Sequence, residues 1–275
     1  ASVRETFLPD CQLVFGAKYD MIFFMKESKK NYRIIIQYDG TRYRGWQGQK
    51  DTAETIQGKI ENVLTRMAGE PVEVIGSGRT DAGVHAIHQV ANFYLAGDYS
   101  EQEILSYLNQ YLPEDIAVSA VQRVPERFHS RYQAKSKTYR YIIHTGEVPD
   151  VFRRKYVYDY RMPLSVDAMR KAADKLVGTH DFKAFCGNKK MKKSTVRTIF
   201  SIDIAESADE ICIYYTGDGF LQNMVRILTG TLIEIGDGRR APEEITEILA
   251  SGNREMAGYT APACGLTLFK VEYED

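Results

Sequence analysis

The stretch PVEVIGSGRTDAGVHAIHQVANFYL, residues 71–95, decides the fold. Two apolar, partly alternating runs, 71–75 and 87–95, read as strands, and a loop containing Gly76, Gly78 and Gly83 joins them. The loop lacks G-K-[ST], and a strand rather than a helix follows it. It therefore fits neither the P-loop nor the dinucleotide fingerprint.

Working outward, residues 32–38 (YRIIIQY) form a β-branched strand, and residues 53–67 place Ile56, Ile60, Val63, Leu64 and Met67 at helical spacing. After the loop, residues 101–111 carry Ile104, Leu105, Leu108 and Tyr111 on one helical face, and 116–121 close as a strand. The order is β-α-β-β-α-β, the ferredoxin-like unit.

The scheme recurs with longer insertions. Residues 138–144 read as a strand, 166–177 as a helix, 196–205 and 210–216 as a hairpin pair, 221–235 as a helix, 242–250 as an additional short helix and 266–271 as the closing strand. The expected fold is α+β: two ferredoxin-like halves, a continuous antiparallel sheet and helices packed on it. The expected divisions are 1–30 as an N-terminal extension, 31–127 as the first half and 128–275 as the second.

The 275 residues carry 36 basic and 37 acidic side chains, a net charge of −1 that on its face argues against a polyanion partner. The distribution argues the other way. Residues 1–122 hold 12 Lys/Arg against 16 Asp/Glu, 123–197 hold 19 against 7, and 198–275 hold 5 against 14. A basic middle between acidic ends is an electrostatic footprint for nucleic acid, although such charges also pair off on ordinary surfaces. No apolar run approaches the ~20 residues of a membrane-spanning helix.

Cys11, Cys186, Cys212 and Cys264 are far apart, without C-x-x-C or a histidine cluster, so reduced thiols in a cytoplasmic protein are expected, with no zinc. Residues 1–30 have neither the composition of a transit peptide nor the layout of a signal peptide. An extension upstream of an ancestral start at Met25 is the expectation, with no function assigned.

Within the loop, two readings stand. One is an elaborate turn in which glycines supply positive φ and Asp81 makes an Asx-type bond. The other is a ligand site that presents Arg79 and Asp81 together, the arginine holding the carboxylate ionised as a nucleophile or general base. His85 and His88, three apart on a strand, point to opposite faces and do not share a metal.

The run GRTDAGVHA resembles the motif of the tRNA pseudouridine synthases that act on positions 38 to 40, the tRNA pseudouridine synthase A family. YDGTRYRGWQGQ (38–49), ETIQGKIENVL, LPEDIAV (112–118), FHSRYQAKSKTYRYII (128–143), NMVRILTG (223–230) and GLTLFKV match in order. The resemblance implies two ferredoxin-like halves, a homodimer with tRNA in its cleft, no cofactor and no metal. It implies that Asp81 is the carboxylate acting at the ribose and that Arg79 pairs with it and helps hold the flipped nucleotide. Tyr139 would stack on the base and collect the C5 proton, Arg226 would assist the tyrosine, and Leu266 would pack on the base.

The same likeness makes the basic middle an RNA surface, with Arg153, Arg154, Lys155, Lys189, Lys190, Lys192, Lys193 and Arg197 as contacts. Tyr43 and Trp46 either touch bases or cap the sheet. Gly48, and Leu221-Gln222-Asn223 before Met224, depart from the family pattern and bear on RNA grip rather than chemistry. By residue type alone, Leu266 is core, Tyr139 a strand-face aromatic and Arg226 a helix-surface charge. The competing functions are a tRNA-binding or folding-assistance protein without catalysis, and a nucleoside hydrolase-like enzyme.

Overall fold

A computed structural model describes residues 28–188 and 190–274. The expectations for residues 1–27 and for Lys189 lie outside the described residues.

In chain order the strands and helices are β1 (Lys30–Tyr38), α1 (Ile56–Ala68), β2 (Ile75–Gly76), β3 (His85–Leu95), α2 (Glu101–Tyr111) and β4 (Ile116–Val124). Then come β5 (Ser136–His144), β6 (Tyr158–Asp159), α3 (Val166–Asp174), β7 (Gly178–Asp181), β8 (Val196–Glu206), β9 (Glu210–Gly217), α4 (Met224–Gly236), α5 (Glu244–Ser251) and β10 (Leu266–Glu272). All ten strands join one sheet, ordered β4-β1-β3-β10-β5-β9-β8-β7, with β2 on β3 and β6 on β5.

The two-fold repetition is visible in that order. β4-β1-β3-β2 and β10-β5-β9-β8 each follow the fourth-first-third-second arrangement of a ferredoxin-like unit. They meet where β10 runs parallel to β3 through Thr267↔His85 and Leu268↔Ala86, and every long pairing elsewhere is antiparallel. β3 lies between β1 and β10 and is buried along most of its length, which explains its weak polar alternation.

Several boundaries differ from expectation, among them α4, which starts at Met224 rather than Leu221. The strand expected over 71–75 shrinks to Ile75–Gly76, which pairs with β3 at Asn92 and Ala91 only. The third helix stops at Asp174 rather than Val177, and Gly178–Asp181 forms β7 against β8, a strand the pattern did not reveal.

The helices end where their caps dictate. Thr55 caps α1 by accepting from the Gly58 N–H, and Gly69 closes it in the left-handed region at φ 72°. Ser100 and Glu103 form a reciprocal capping box on α2. α4 is apolar on nearly all sides and buried on nearly all sides, including Ile227, Leu228, Leu232 and Ile233. A buried Ile→Ala change at Ile227 would cost about 2–5 kcal/mol. The rigidity of α4 matters because its N-terminal end reaches the glycine-rich loop.

Candidate active site

Two glycine-bearing segments are laced together. Trp46 N–H donates to the Thr80 carbonyl (3.1 Å), Gly83 N–H to the Tyr43 carbonyl (3.3 Å), and Val84 N–H to the Asp81 carbonyl (3.1 Å). Gln57 N–H, at the start of α1, donates to Trp46 O (3.0 Å), so the helix anchors the cradle. Ser77 N–H donates to Val90 O at 2.7 Å, its hydroxyl to Gln89 Oε1 at 2.7 Å, and Gln89 Nε2 to Gly78 O at 3.2 Å. Gly40 is obligatory by close approach, since a Cβ there would stand 1.9 Å from the Val84 carbonyl oxygen. Gly45 adopts φ 95°, and its Cβ would stand 2.6 Å from Thr80 O. Tyr43 and Trp46 are both buried, so they belong to the core supporting the loop.

Asp81 points from this cradle toward α4. Its carboxylate lies near the backbone N–H of Asn223, the residue at the N-cap of α4, and in the field of Arg226 one turn along. Burial pushes the carboxyl above the ordinary aspartate range, while the Arg226 charge and the Asn223 N–H pull it back part of the way. The positive end of the α4 dipole acts in the same sense. Arg226 is fixed by donating from Nε to the Ala261 carbonyl (2.7 Å) and from Nη1 to Asn223 Oδ1 (3.1 Å).

Asn223 was missed as part of the Asp81 site. Beside any bearing on RNA grip, its side chain accepts from Arg226 and its backbone N–H stands near the carboxylate. Asn223 adopts φ 57°, in the left-handed region that asparagine tolerates better than most residues. The asparagine just ahead of Met-Val-Arg was the available signal, but its proximity to Asp81 depends on two segments more than 140 residues apart in the chain.

The expected Arg79–Asp81 pairing is absent among the described contacts. Arg79 Nε donates instead to Gln47 Oε1 at 2.8 Å, on the exposed side of the loop. The cation acting on Asp81 is Arg226, because side chains two apart in this tightly turned loop leave in different directions.

Tyr139 sits on β5, buried, with its ring edge-on to Phe220 at 5.3 Å and 87°. Burial, and then the negative charges that Tyr38 and Asp81 can carry, push its hydroxyl well above the usual phenol range. The expected help from Arg226 falls on Asp81 instead. The phenol in the free protein is therefore a firm proton holder rather than a ready base. Tyr38 binds the loop directly, its hydroxyl 2.9 Å from Thr80 Oγ1. Leu266 is buried on β10 opposite Tyr141, while Leu268 is the register partner of Tyr139.

The basic residues are spread over the second half. Arg153 is half-exposed and bound to Asp150 and Glu210, each at 2.6 Å. Arg154 donates to the Val151 carbonyl (2.6 Å), and Lys155 is exposed. Lys190 and Lys192 are exposed, and Lys193 lines a cavity of about 440 Å³ with Lys183, Arg254 and Asp181. Arg197 is the second residue of β8, with Nη1 donating to the Ser194 and Val196 carbonyls.

Comparison with known proteins decides the family. The sequence model described as tRNA pseudouridine synthase matches residues 34–133 and 172–274. The chain belongs to the tRNA pseudouridine synthase family. It is 51% identical over 243 residues to "tRNA pseudouridine synthase A" of Bacillus sp. (strain KSM-64), covering 88% of this chain and 99% of that one. It is 47% identical over 244 residues to the protein of the same name from Brevibacillus brevis, covering 89% and 100%. "tRNA pseudouridine synthase A 1" of Clostridium tetani is 48% identical over 244 residues, again covering 89% and 100%. As a synthase of this family the protein is an isomerase that converts uridine to pseudouridine. No helix among the described residues is long and apolar enough to cross a membrane.

Proposed function

We propose that this synthase acts on uridines at positions 38 to 40 of the tRNA anticodon stem-loop, with Asp81 as the reacting carboxylate. One observation carries the assignment. Asp81 is half-buried in a braced loop near the N-terminal end of α4, with the Asn223 N–H, the Arg226 guanidinium and the Tyr139 ring arranged about it.

The reaction breaks the N1–C1′ bond of uridine, turns the uracil and joins C5 to C1′. A proton leaves C5 and one is gained at N1, so substrate and product are isomers. Asp81 either attacks C1′, departing when C5 arrives, or removes the 2′ proton and later returns it. Both routes start from the carboxylate. Arg226 and the Asn223 N–H favour that form against the opposing effect of burial.

The base would be extruded from its stem at a cost of a few kcal/mol and seated against Tyr139, with Leu266 in the apolar wall. Phe220, packed at right angles to the tyrosine ring, holds that ring in place for stacking. Because burial raises its hydroxyl, Tyr139 would accept the C5 proton only with a protein cation brought beside it in the complex. Arg79, turned outward on Gln47, is placed to meet the RNA as the nucleotide leaves its stem.

RNA backbone contacts are assigned to Arg154, Lys155, Lys190, Lys192, Lys193 and Arg197, with Arg153 joining when phosphate competes for its carboxylates. The division into halves at 31–127 and 128–275, a homodimer and a cytoplasmic location complete the proposal. The family resemblance supports the homodimer, and the dispersed thiols support the location.

Incubation with tRNA carrying tritium at uridine C5, followed by position-specific mapping, tests the function. Release into water and pseudouridine at 38–40 are expected from the wild type, and Asp81→Asn should bind tRNA without release. Binding without release by the wild type would favour the non-catalytic alternative. An active Asp81→Asn variant would remove the assignment of Asp81.

A further inference from the structure

Lys137 has no part in the chemistry described above, yet it borders the site. It precedes Tyr139 by two residues on β5, so the two side chains share one face, ~6.7 Å apart along the strand. Pairing with β9 is regular from Lys137↔Gly217 to His144↔Glu210, so no bulge turns one side chain away from the other. The lysine tip packs on the Asp81 loop: a Cβ built on Gly78 would lie 3.6 Å from both Cε and Nζ of Lys137.

Arg131 precedes β5, Arg197 is the second residue of β8 and Asp218 follows β9, and all three act on the Lys137 amine. Val271, its register partner on β10, adds no charge. On the loop side, Arg79 is bonded to Gln47. Asp218 spends one oxygen on the Thr198 N–H (3.1 Å). Among the described residues no carboxylate forms an ion pair with Lys137. Burial and then the Arg131 charge push the amine down to about 8, with Asp218 opposing and Arg197 adding to the fall. An ammonium packed on the Gly78 backbone, partly removed from water and in the field of two arginines, is incomplete without an anion.

We propose that Lys137 is a positioning residue whose ammonium, with Arg131 and Arg197, seats a phosphodiester of the RNA strand beside the nucleotide held at Tyr139. This rests on the Asp81 loop being the tRNA site. A phosphodiester is permanently anionic and can bond several cations at once. Its arrival favours the charged amine, so above pH 8 binding takes up a proton. The phosphate pins the backbone one strand repeat from Tyr139 and sets how far the base projects toward Asp81.

The test is equilibrium binding of an unmodified tRNA transcript to the full chain at pH 7 and pH 9, and from 50 to 200 mM salt. If only the charged amine grips phosphate, wild-type affinity falls about tenfold between those pH values. Lys137→Arg, charged throughout, should bind equally at both. Lys137→Gln should bind weakly at both, and its log–log salt slope should shrink by about 0.7 to 0.9. A wild-type pH drop that persists in Lys137→Arg, or an unchanged salt slope in Lys137→Gln, overturns the proposal. Lys137→Arg keeps the test decisive should the glutamine variant misfold. Absent tritium release from wild type would count against the function, whereas an active wild type with indifferent Lys137 variants would count against this inference alone.

Discussion

Replacing Arg226 by methionine removes the charge that offsets the burial of Asp81 while keeping a long side chain over α4. An opposite charge at ~4–6 Å lowers a carboxylate pKa by about 1–3. Its removal should therefore raise the Asp81 pKa by about the same amount, equivalent to ~1.4–4 kcal/mol at the carboxylate. The acid limb of kcat/KM, which reports the free enzyme, should move toward neutral pH by about one to three. At pH 7 the variant should be slowed, and alkaline pH should restore much of the loss.

Arg226→Lys keeps a charge but loses the paired bonds to the Ala261 carbonyl and to Asn223. It should shift the limb less than the methionine variant does. The two lost bonds should lower stability by about 1–3 kcal/mol in either variant. Tritium release measured from pH 5 to 9, alongside urea unfolding, separates the effects. An acid limb that stays in place in Arg226→Met, or one moved equally by both variants, would refute the electrostatic link between Arg226 and Asp81.

Further outcomes follow from the same geometry. Asp81 has a folded-state pKa above its unfolded value, so ionising it opposes folding as pH rises through that pKa. Asp81→Asn should thus leave the melting temperature at pH 7 unchanged or raise it, and calorimetry showing a drop of several degrees would contradict this. Gly40→Ala drives a methyl into the Val84 carbonyl and should cost about 3 kcal/mol or more, read from the urea midpoint, with tritium release lost as the loop is displaced. Tyr139→Phe keeps the ring against Phe220 and should stay within about 1 kcal/mol of wild-type stability. Its release rate should fall at least ~100-fold if the hydroxyl handles a proton, and wild-type release would restrict Tyr139 to stacking. Finally, tRNA affinity should fall steeply with added salt despite the net charge of −1, and a flat response would remove the basic middle as an RNA surface.

Much was legible in the chain itself. The apolar periodicities of 32–38, 53–67, 101–111 and 221–235 foretold β1, α1, α2 and α4, because amphipathic spacing and caps such as Ser100 and Gly69 are local properties. GRTDAGVH marked the loop, since few turns need that density of glycine beside a charged pair. β7 was hidden because a four-residue exposed strand carries no distinguishable period. The curtailment of the 71–75 strand was equally hidden, because an apolar run shows that a segment is buried but not whether its backbone pairs with β3.

The sequence by itself determined the two repeated β-α-β-β-α-β orders, the residue types available for chemistry and the gathering of positive charge between residues 123 and 197. Only the tertiary structure decided which charges meet. Proximity in the chain favoured Arg79 as the partner of Asp81, yet the tight loop turns Arg79 outward to Gln47. The packing of α4 instead delivers Arg226 and the Asn223 N–H from the other half. Electrostatic partnership falls off with distance in space, and in a folded chain that distance is set by how elements pack rather than by their separation in sequence.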